Sequence, residues 1–223
     1  MVKKHAELIG VICLSVLLSF TLLYFRVYLS GTRTFLFFVW NLFLAAIPLL
    51  FSSMLIALES KTRSRIILGG LFVGWLLFFP NAPYILTDLF HLRKRVNIPL
   101  WYDLILITSF AWNGLFLGFL SLKQIQIFVQ KRIGVITGWI CVIGSLGLSS
   151  FGIYLGRYLR WNSWDVLSQP EGLFFDIADR LLNPGAHPKT FGVTILFTAF
   201  LLIVYLTFNV LMKPDREDGV QRG

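Results

Sequence analysis

The chain has 223 residues, of which 57% are hydrophobic and 14% are charged, and its mean hydropathy is +0.75. Soluble domains contain roughly 45–50% apolar residues, so a water-soluble fold would leave this surplus exposed. The formal net charge of +9 does not indicate a nucleic-acid partner. The basic residues fall in short segments between apolar runs, where they anchor helices and meet anionic lipid.

Six apolar segments are long enough to cross a bilayer as helices, which takes about 20 residues. They comprise residues 8–28, 35–58, 66–86, 101–122, 134–156 and 191–212. The first follows two lysines, as a signal peptide would, but its apolar part exceeds the roughly 7–15 residues of a signal peptide. We therefore expect a retained first span and a single transmembrane domain over residues 1–212, followed by a polar tail over 213–223.

The third apolar segment is interrupted by the sequence FFPNAPYILTDLFHLRKR, residues 78–95. Pro80 and Pro83 lack a backbone N–H and clash with preceding carbonyls, so we expect a kinked or interrupted helix. Irregular backbone is tolerated in a bilayer only where protein or a water-filled cavity surrounds it. Asn81 offers donor and acceptor groups at this point and would shape such a cavity. The alternative is a helix that simply ends at proline at the membrane surface.

A polar stripe follows the break. It contains Tyr84, Asp88, His91 and Arg95. Their helical spacing predicts one common face. Asp88 and His91 would form an oriented general base or two metal ligands, and we name them as candidate catalytic residues, with Asn81 and Tyr84 as candidate substrate-binding residues. The alternative is the solvated face of an interfacial helix.

The fifth apolar segment ends in the sequence GRYLRWNSWD, residues 156–165. If the helix continues, four side chains share a stripe, namely Arg157, Arg160, Trp161 and Trp164. Arginine suits phosphate or carboxylate, and tryptophan offers a flat apolar face. With Asp165, these are candidate substrate-binding residues for an anionic lipid headgroup or a lipid-linked sugar phosphate. The alternative is a belt of interfacial tryptophans with arginines that extend to the surface.

The extramembrane loop over residues 157–190 has a pattern of its own. Ser168 to Glu171 match a capping box, and apolar residues recur at helical spacing over 173–181. Asn183-Pro184-Gly185 would end such a helix. The predicted fold class is therefore an all-α polytopic membrane protein with about six transmembrane helices and an interfacial amphipathic helix between spans five and six.

The two long motifs together carry a family resemblance. FPNAPYILTDLFHL, followed about sixty residues later by GRYLRWNSWD, resembles the bacterial and archaeal membrane family catalogued as domain of unknown function 1361. The resemblance covers most of the chain. It implies a multi-pass membrane protein of about this length, and it implies no particular activity.

The distribution of lysine and arginine slightly favours cytoplasmic termini, because the loops on the side of the termini carry more of them. We therefore expect a multi-pass protein of the bacterial cell membrane whose polar motifs lie at the outer surface. Motifs of familiar hydrolases, nucleotide-binding loops and zinc sites are absent from the sequence. The sequence predicts no cofactor and no metal site.

Three functional hypotheses remain open. The first is a site at the outer surface that binds, or binds and modifies, an anionic lipid or lipid-linked envelope intermediate; whether the protein is an enzyme stays open. The second is a small-molecule or lipid carrier with a broken third helix. The third is a non-catalytic assembly partner that packs against another membrane protein or a second copy of itself through glycine faces. Membrane lipids are expected partners in each case.

Overall fold

The computed structural model describes residues 2–62, 64–95, 98–161 and 165–212, so Trp164 and the tail over 213–223 lie outside the described residues. The described chain is helical. Its helices are α1 (Val2–Ser30), α2 (Phe37–Glu59), α3 (Arg65–Phe78), α4 (Asn81–Tyr84), α5 (Leu100–Arg132), α6 (Val135–Tyr158), α7 (Asp165–Ser168), α8 (Pro170–Leu182) and α9 (Pro188–Leu211). A 3₁₀ segment, Ile85–His91, directly follows α4, and a short one, Pro184–Ala186, precedes α9.

Six helical stretches of the described chain are long and apolar enough to cross a membrane. They are Ala6–Ser30, Phe37–Glu59, Arg65–His91, Leu100–Arg132, Val135–Tyr158 and Pro188–Leu211. This confirms the predicted class of an all-α, six-span membrane protein. The end of the bundle that contains the connection between α6 and α9 is called the long-loop end. The other end, which contains the connections between α2 and α3 and between α5 and α6, is called the short-loop end.

Helix α5 occupies the centre of the bundle. It packs against α1, α2, α6, α9 and the broken third span. In the most apolar 18-residue stretch of α5, 56% of the residues are buried. It continues to Arg132 rather than ending near residue 122 as predicted. The extension persists because its polar side chains find partners on neighbouring helices. Gln126 Oε1 accepts a hydrogen bond from the Tyr205 hydroxyl at 2.8 Å, and Gln124 Oε1 accepts one from Ser52 at 2.6 Å.

The proline break is a change of helix type within a buried segment. Helix α3 ends at Phe78, and Pro80 keeps near-helical angles of φ −58° and ψ −25°. The Asn81 side chain donates to the Phe78 carbonyl at 3.0 Å, while the Ala82 N–H donates to Phe79 instead. Asn81 therefore supplies to the Phe78 carbonyl the hydrogen bond that the Ala82 N–H would donate in a continuous helix.

Glycines of two helices make room for the break. A Cβ atom at Gly118 of α5 would lie 2.6 Å from the Cβ of Ala82, and one at Gly156 of α6 would lie 3.0 Å from the Tyr84 ring. Ala82 and Pro83 are buried between these helices. Small residues allow such close approach of helices in a membrane. The irregular backbone is thus surrounded by protein, as expected from the sequence.

Helix α8 is the amphipathic helix between spans five and six. Four large apolar side chains remain exposed on it, namely Phe174, Phe175, Leu181 and Leu182. The predicted capping box does not form, because Ser168 belongs to α7 and the N-cap residue of α8 is Gln169. Instead, the Ser168 hydroxyl donates to Asp165 at 3.1 Å. The interfacial position of α8 stays a prediction that its exposed apolar side chains favour.

We expect Gly118→Ala to lower stability, because the added methyl group would push α4 away from α5. Overpacking of this kind costs about 1–3 kcal/mol. Gly144→Ala is the matched control, since a Cβ at Gly144 meets no atom within 4 Å. The midpoint of thermal unfolding in mild detergent should fall only for Gly118→Ala. Equal midpoints for the two variants would show that the glycine face does not determine the packing of the break.

Candidate functional site

The Asp88 carboxylate is the centre of a buried polar cluster at the long-loop end, and its side chain is 2% exposed. Its Oδ1 atom accepts a hydrogen bond from Arg157 Nη2 at 2.8 Å, and its Oδ2 atom accepts one from Asn41 Nδ2 at 2.8 Å. The 3₁₀ segment, α6 and α2 therefore meet at this carboxylate. We call Asn41, Thr87, Asp88, His91 and Arg157 the Asp88 cluster.

Arg157 uses its donors within this cluster. Its Nε and Nη2 atoms donate to the Thr87 hydroxyl at 3.0 and 2.6 Å, and its guanidinium lies 4.8 Å from the centre of the Tyr84 ring. Its Nη1 atom lies 3.2 Å from His91 Nε2. A guanidinium only donates hydrogen bonds, so His91 Nε2 is the acceptor and the imidazole proton resides on Nδ1. The predicted pair of Asp88 and His91 thus has Arg157 between its polar groups.

This geometry limits what the Asp88 cluster can do chemically. Each Asp88 oxygen accepts one hydrogen bond, from Arg157 or from Asn41, and these bonds favour the ionised carboxylate. His91, 39% exposed, is the most accessible side chain of the cluster that can carry a proton. Its Nε2 atom lies 3.9 Å from Asp88 Oδ1, which is beyond direct hydrogen-bond distance. The acid–base role predicted for the two residues stays a prediction.

A second buried carboxylate, Asp103, is paired with two arginines. Asp103 Oδ1 accepts from Arg26 Nε at 2.6 Å, and Oδ2 accepts from Arg95 Nη1 at 3.0 Å. Asp103 is 1% exposed and Arg26 is 2% exposed. Both guanidinium groups lie over the Phe35 ring, at 5.3 and 4.4 Å from its centre. We call Arg26, Phe35, Arg95 and Asp103 the Asp103 cluster.

Arg95 joins the two clusters, because its Nη2 atom donates to the His91 carbonyl at 3.4 Å. The sequence predicted Arg95 on a stripe with Asp88, but its guanidinium pairs with Asp103 instead. Arg95 leaves the stripe because the 3₁₀ segment ends at His91 and the backbone is extended at Leu92. Together the clusters contain three arginines and two carboxylates.

The predicted stripe at the end of α6 does not form. Helix α6 ends at Tyr158, and Arg160 adopts a left-handed conformation with φ 63°. The Trp161 N–H then donates to the Leu155 carbonyl at 3.2 Å. These contacts turn the chain away from the helix axis, so Arg160 is exposed at the end of α6 while Arg157 is enclosed in the Asp88 cluster. Trp164, the fourth predicted member, lies outside the described residues.

Trp161 attaches the amphipathic helix to the bundle rather than contributing to the two clusters. Its Nε1 atom donates to Asp176 Oδ2 at 2.7 Å, and a Cβ added at Gly172 of α8 would lie 3.0 Å from the Trp161 ring. Asp165 begins α7. Of the predicted binding residues, the structure therefore brings Tyr84 and Arg157 together with Asp88 and His91. It places Asn81, Trp161 and Asp165 in other contacts and leaves Arg160 exposed.

The far end of α8 is held by a hydrogen-bonded carboxylate. Asp179 accepts from Asn183 Nδ2 at 2.8 Å, and its Oδ2 atom lies 2.7 Å from His187 Nε2. Hydrogen bonds from Asn183, and next from His187, hold the pKa of Asp179 below its usual range. In the described part of the chain, no group of three histidine, cysteine or acidic side chains is arranged to hold a metal ion.

Five residues of these clusters were missed by the sequence analysis as site residues, namely Arg26, Phe35, Asn41, Thr87 and Asp103. Asp103 carried a usable signal, because a carboxylate at the start of an apolar span needs a cationic partner. Asn41 carried a weaker one, since it is a lone amide within an apolar segment. The sequence pattern does not indicate which residues pair with them.

We expect Asp88→Asn and Arg157→Met each to destabilise the bundle, because each leaves a buried partner unpaired. Removing one member of a buried ion pair costs about 3–5 kcal/mol. The double variant should lose less than the sum of the two single losses, as measured by thermal unfolding in mild detergent. Glu171→Gln, at an exposed residue of α8, is the control. Strictly additive losses would mean that the two residues do not stabilise each other.

The family comparison agrees with this architecture. The model of the family described as "Protein of unknown function (DUF1361)" matches residues 40–204, a range that contains the Asp88 cluster and all of the Asp103 cluster except Arg26 and Phe35. No curated protein and no solved structure matches the chain. The resemblance noted in the sequence is confirmed: the chain is a multi-pass membrane protein that belongs to the DUF1361 family.

Proposed function

We propose that the protein binds the anionic group of a membrane lipid, or of a lipid-linked envelope intermediate, at the long-loop end of the bundle. The observation that carries this proposal is the excess of arginine in the two clusters. Among the described residues, the three arginines Arg26, Arg95 and Arg157 pair with two carboxylates, Asp88 and Asp103. An uncompensated charge in a medium of low dielectric constant costs several kcal/mol, and a bound anion would offset this cost.

Two further features of the arginines support an anion site. Arg26 Nη1 is buried and has no hydrogen-bond partner among the described residues, so a donor remains unused. The Arg95 and Arg157 side chains are 18% and 15% exposed, so they form the accessible edge of the clusters. Arginine binds phosphate and carboxylate groups through its planar array of donors.

The surroundings favour a lipid over a soluble anion. Phe90 is 62% exposed and Trp101 is 61% exposed, and the Phe90 ring centre lies 5.9 Å from the Arg157 guanidinium. Large exposed apolar side chains beside a cationic group suit the boundary between headgroups and hydrocarbon. Exposed cations surround the same end, namely Arg33, Arg93, Lys94 and Arg160. Each basic residue near the surface attracts anionic lipid by about 1 kcal/mol.

A catalytic role for His91 would be coupled to binding within this proposal. Arg157 occupies His91 Nε2 in the structure, so the imidazole gains a free acceptor there only when Arg157 turns toward a bound anion. His91 would then act as the general base and Asp88 would stabilise its protonated form. Binding without chemistry requires neither step. The carrier and assembly hypotheses stay predictions.

We further propose that the long-loop end faces the outer surface of the cell membrane and that the termini are cytoplasmic. The support is the slight excess of lysine and arginine on the side of the termini. In this orientation the proposed site would meet lipids of the outer leaflet.

We expect Arg95→Gln to weaken the binding of phosphatidylglycerol about tenfold or more, since a hydrogen bond to a charged group contributes about 1.5–3 kcal/mol. The fold should survive, because Asp103 keeps its bond to Arg26. Native mass spectrometry of the full chain, titrated with phosphatidylglycerol and with phosphatidylcholine, measures the effect. Lys189→Gln is the control, since Lys189 is an exposed cation at the same end that lies over Tyr158.

The comparison of the two lipids decides the outcome. Loss of one preferentially bound phosphatidylglycerol in Arg95→Gln, with wild type and Lys189→Gln alike in their binding, would support the proposal. Equal binding to wild type and Arg95→Gln would overturn it, as would equal affinity of wild type for the two lipids.

A further inference from the structure

An apolar groove at the short-loop end lies between α3, α5 and α6. It has a volume of about 610 Å³, within the range of roughly 300–1,000 Å³ typical of ligand sites. Its walls include Leu68, Phe72, Phe128 and Cys141. The groove shares no residue with the Asp88 or Asp103 cluster, which lie at the opposite end of the bundle.

A glycine keeps this groove open. Gly69 of α3 lines it, and a Cβ atom at Gly69 would meet no other atom within 4 Å. Large apolar side chains beside the groove point outward, since Ile67 is 50% exposed and Ile136 is 78% exposed. In a membrane-spanning bundle such side chains contact hydrocarbon. The groove therefore opens toward lipid acyl chains.

Two arginines line the groove where it reaches the short-loop end. Arg65 begins α3, is exposed, and forms no ion pair with any residue that the structure describes. Arg132 ends α5, bonds Glu59 through Nε at 3.0 Å and lies 4.7 Å from the Phe128 ring centre. Its two Nη atoms donate to no described residue. The Arg65 guanidinium and the two Nη groups of Arg132, whose Nε is bonded to Glu59, therefore remain available at the level expected for lipid headgroups.

The start of α6 adds to the positive potential at this place. Its N-cap residue, Gly134, provides no side-chain hydrogen bond to the first turn, and Thr137 of that turn lines the groove. Free N–H groups at a helix N-terminus favour a nearby anion. This contribution reinforces the two arginines and does not act alone.

We propose that this groove is a binding site for an acidic phospholipid. The phosphate would lie between Arg65 and Arg132, and one acyl chain would lie along the walls formed by Phe72 and Phe128. An amphiphile matches both the apolar groove and the two arginines at its end. A soluble anion would contact only the arginines, and a neutral helix would contact only the apolar walls. Basic pockets between membrane-spanning helices are typical sites for acidic lipid headgroups. A zwitterionic lipid binds less well, because its cationic amine would approach two arginines.

The test compares two neighbouring glycines. Gly69→Leu places a side chain in the groove, whereas Gly70→Leu places the same side chain where a Cβ also meets open space but outside the groove. Native mass spectrometry of the full chain titrated with phosphatidylglycerol should show about a tenfold loss of affinity at one site for Gly69→Leu. Gly70→Leu should bind as wild type does.

The arginines are tested separately. Arg65→Gln combined with Arg132→Gln should remove the preference for phosphatidylglycerol over phosphatidylcholine at this site, and Arg65→Gln alone, at an exposed position, should reduce it without affecting the fold. These effects should add to that of Arg95→Gln, because the two sites lie at opposite ends. A negative binding result at one site therefore does not affect the interpretation of the result at the other site.

Three outcomes would overturn the inference. Unchanged phosphatidylglycerol binding by Gly69→Leu would show that the groove is not occupied. A loss in the arginine variants but not in Gly69→Leu would assign the headgroup contact to surrounding lipid rather than to the groove. Equal losses of phosphatidylglycerol and phosphatidylcholine in Gly69→Leu would show a groove for acyl chains without a preference for acidic headgroups.

Discussion

A carboxylate that is buried within a membrane-spanning bundle must have a cation held beside it, because the energy of an unpaired charge rises steeply in a medium of low dielectric constant. In this protein the requirement applies at Asp88 and again at Asp103. Their arginine partners come from α1, α6 and the segment before α5. Pairing of charge therefore determines which helices converge at the long-loop end, and the candidate site is a consequence of that convergence.

Much of the fold follows from the sequence because its signals are local. Hydropathy over about 20 residues predicts a span, and six such spans are present in the described chain. Pro80 and Pro83 predict the break for the same reason, since each acts on the carbonyls next to it. The extension of α5 to Arg132 was not predictable in this way. It depends on partners for Gln124 and Gln126 that lie on other helices.

The candidate site was predictable only in part. The sequence pointed to Asp88, His91 and Arg157 as polar residues next to apolar spans, and the structure brings them together. Their contacts depend on pairs far apart in the chain, such as Asn41 and Asp88 with a separation of 47 residues, which no local pattern specifies. The left-handed conformation of Arg160 could not be predicted either, because the residue at that position is neither glycine nor asparagine, the residues that usually adopt it.

The pairing of Arg26 with Asp103 has a consequence for how the protein is assembled. The two residues are 77 positions apart, and the second and third spans separate them in the order of synthesis. After α1 has been inserted and before α5 has been synthesised, the flexible side chain of Arg26 allows its guanidinium to remain among the lipid headgroups. Its final burial requires the arrival of α5. Helix α1 is thus completed as part of the bundle only after α5 has been made.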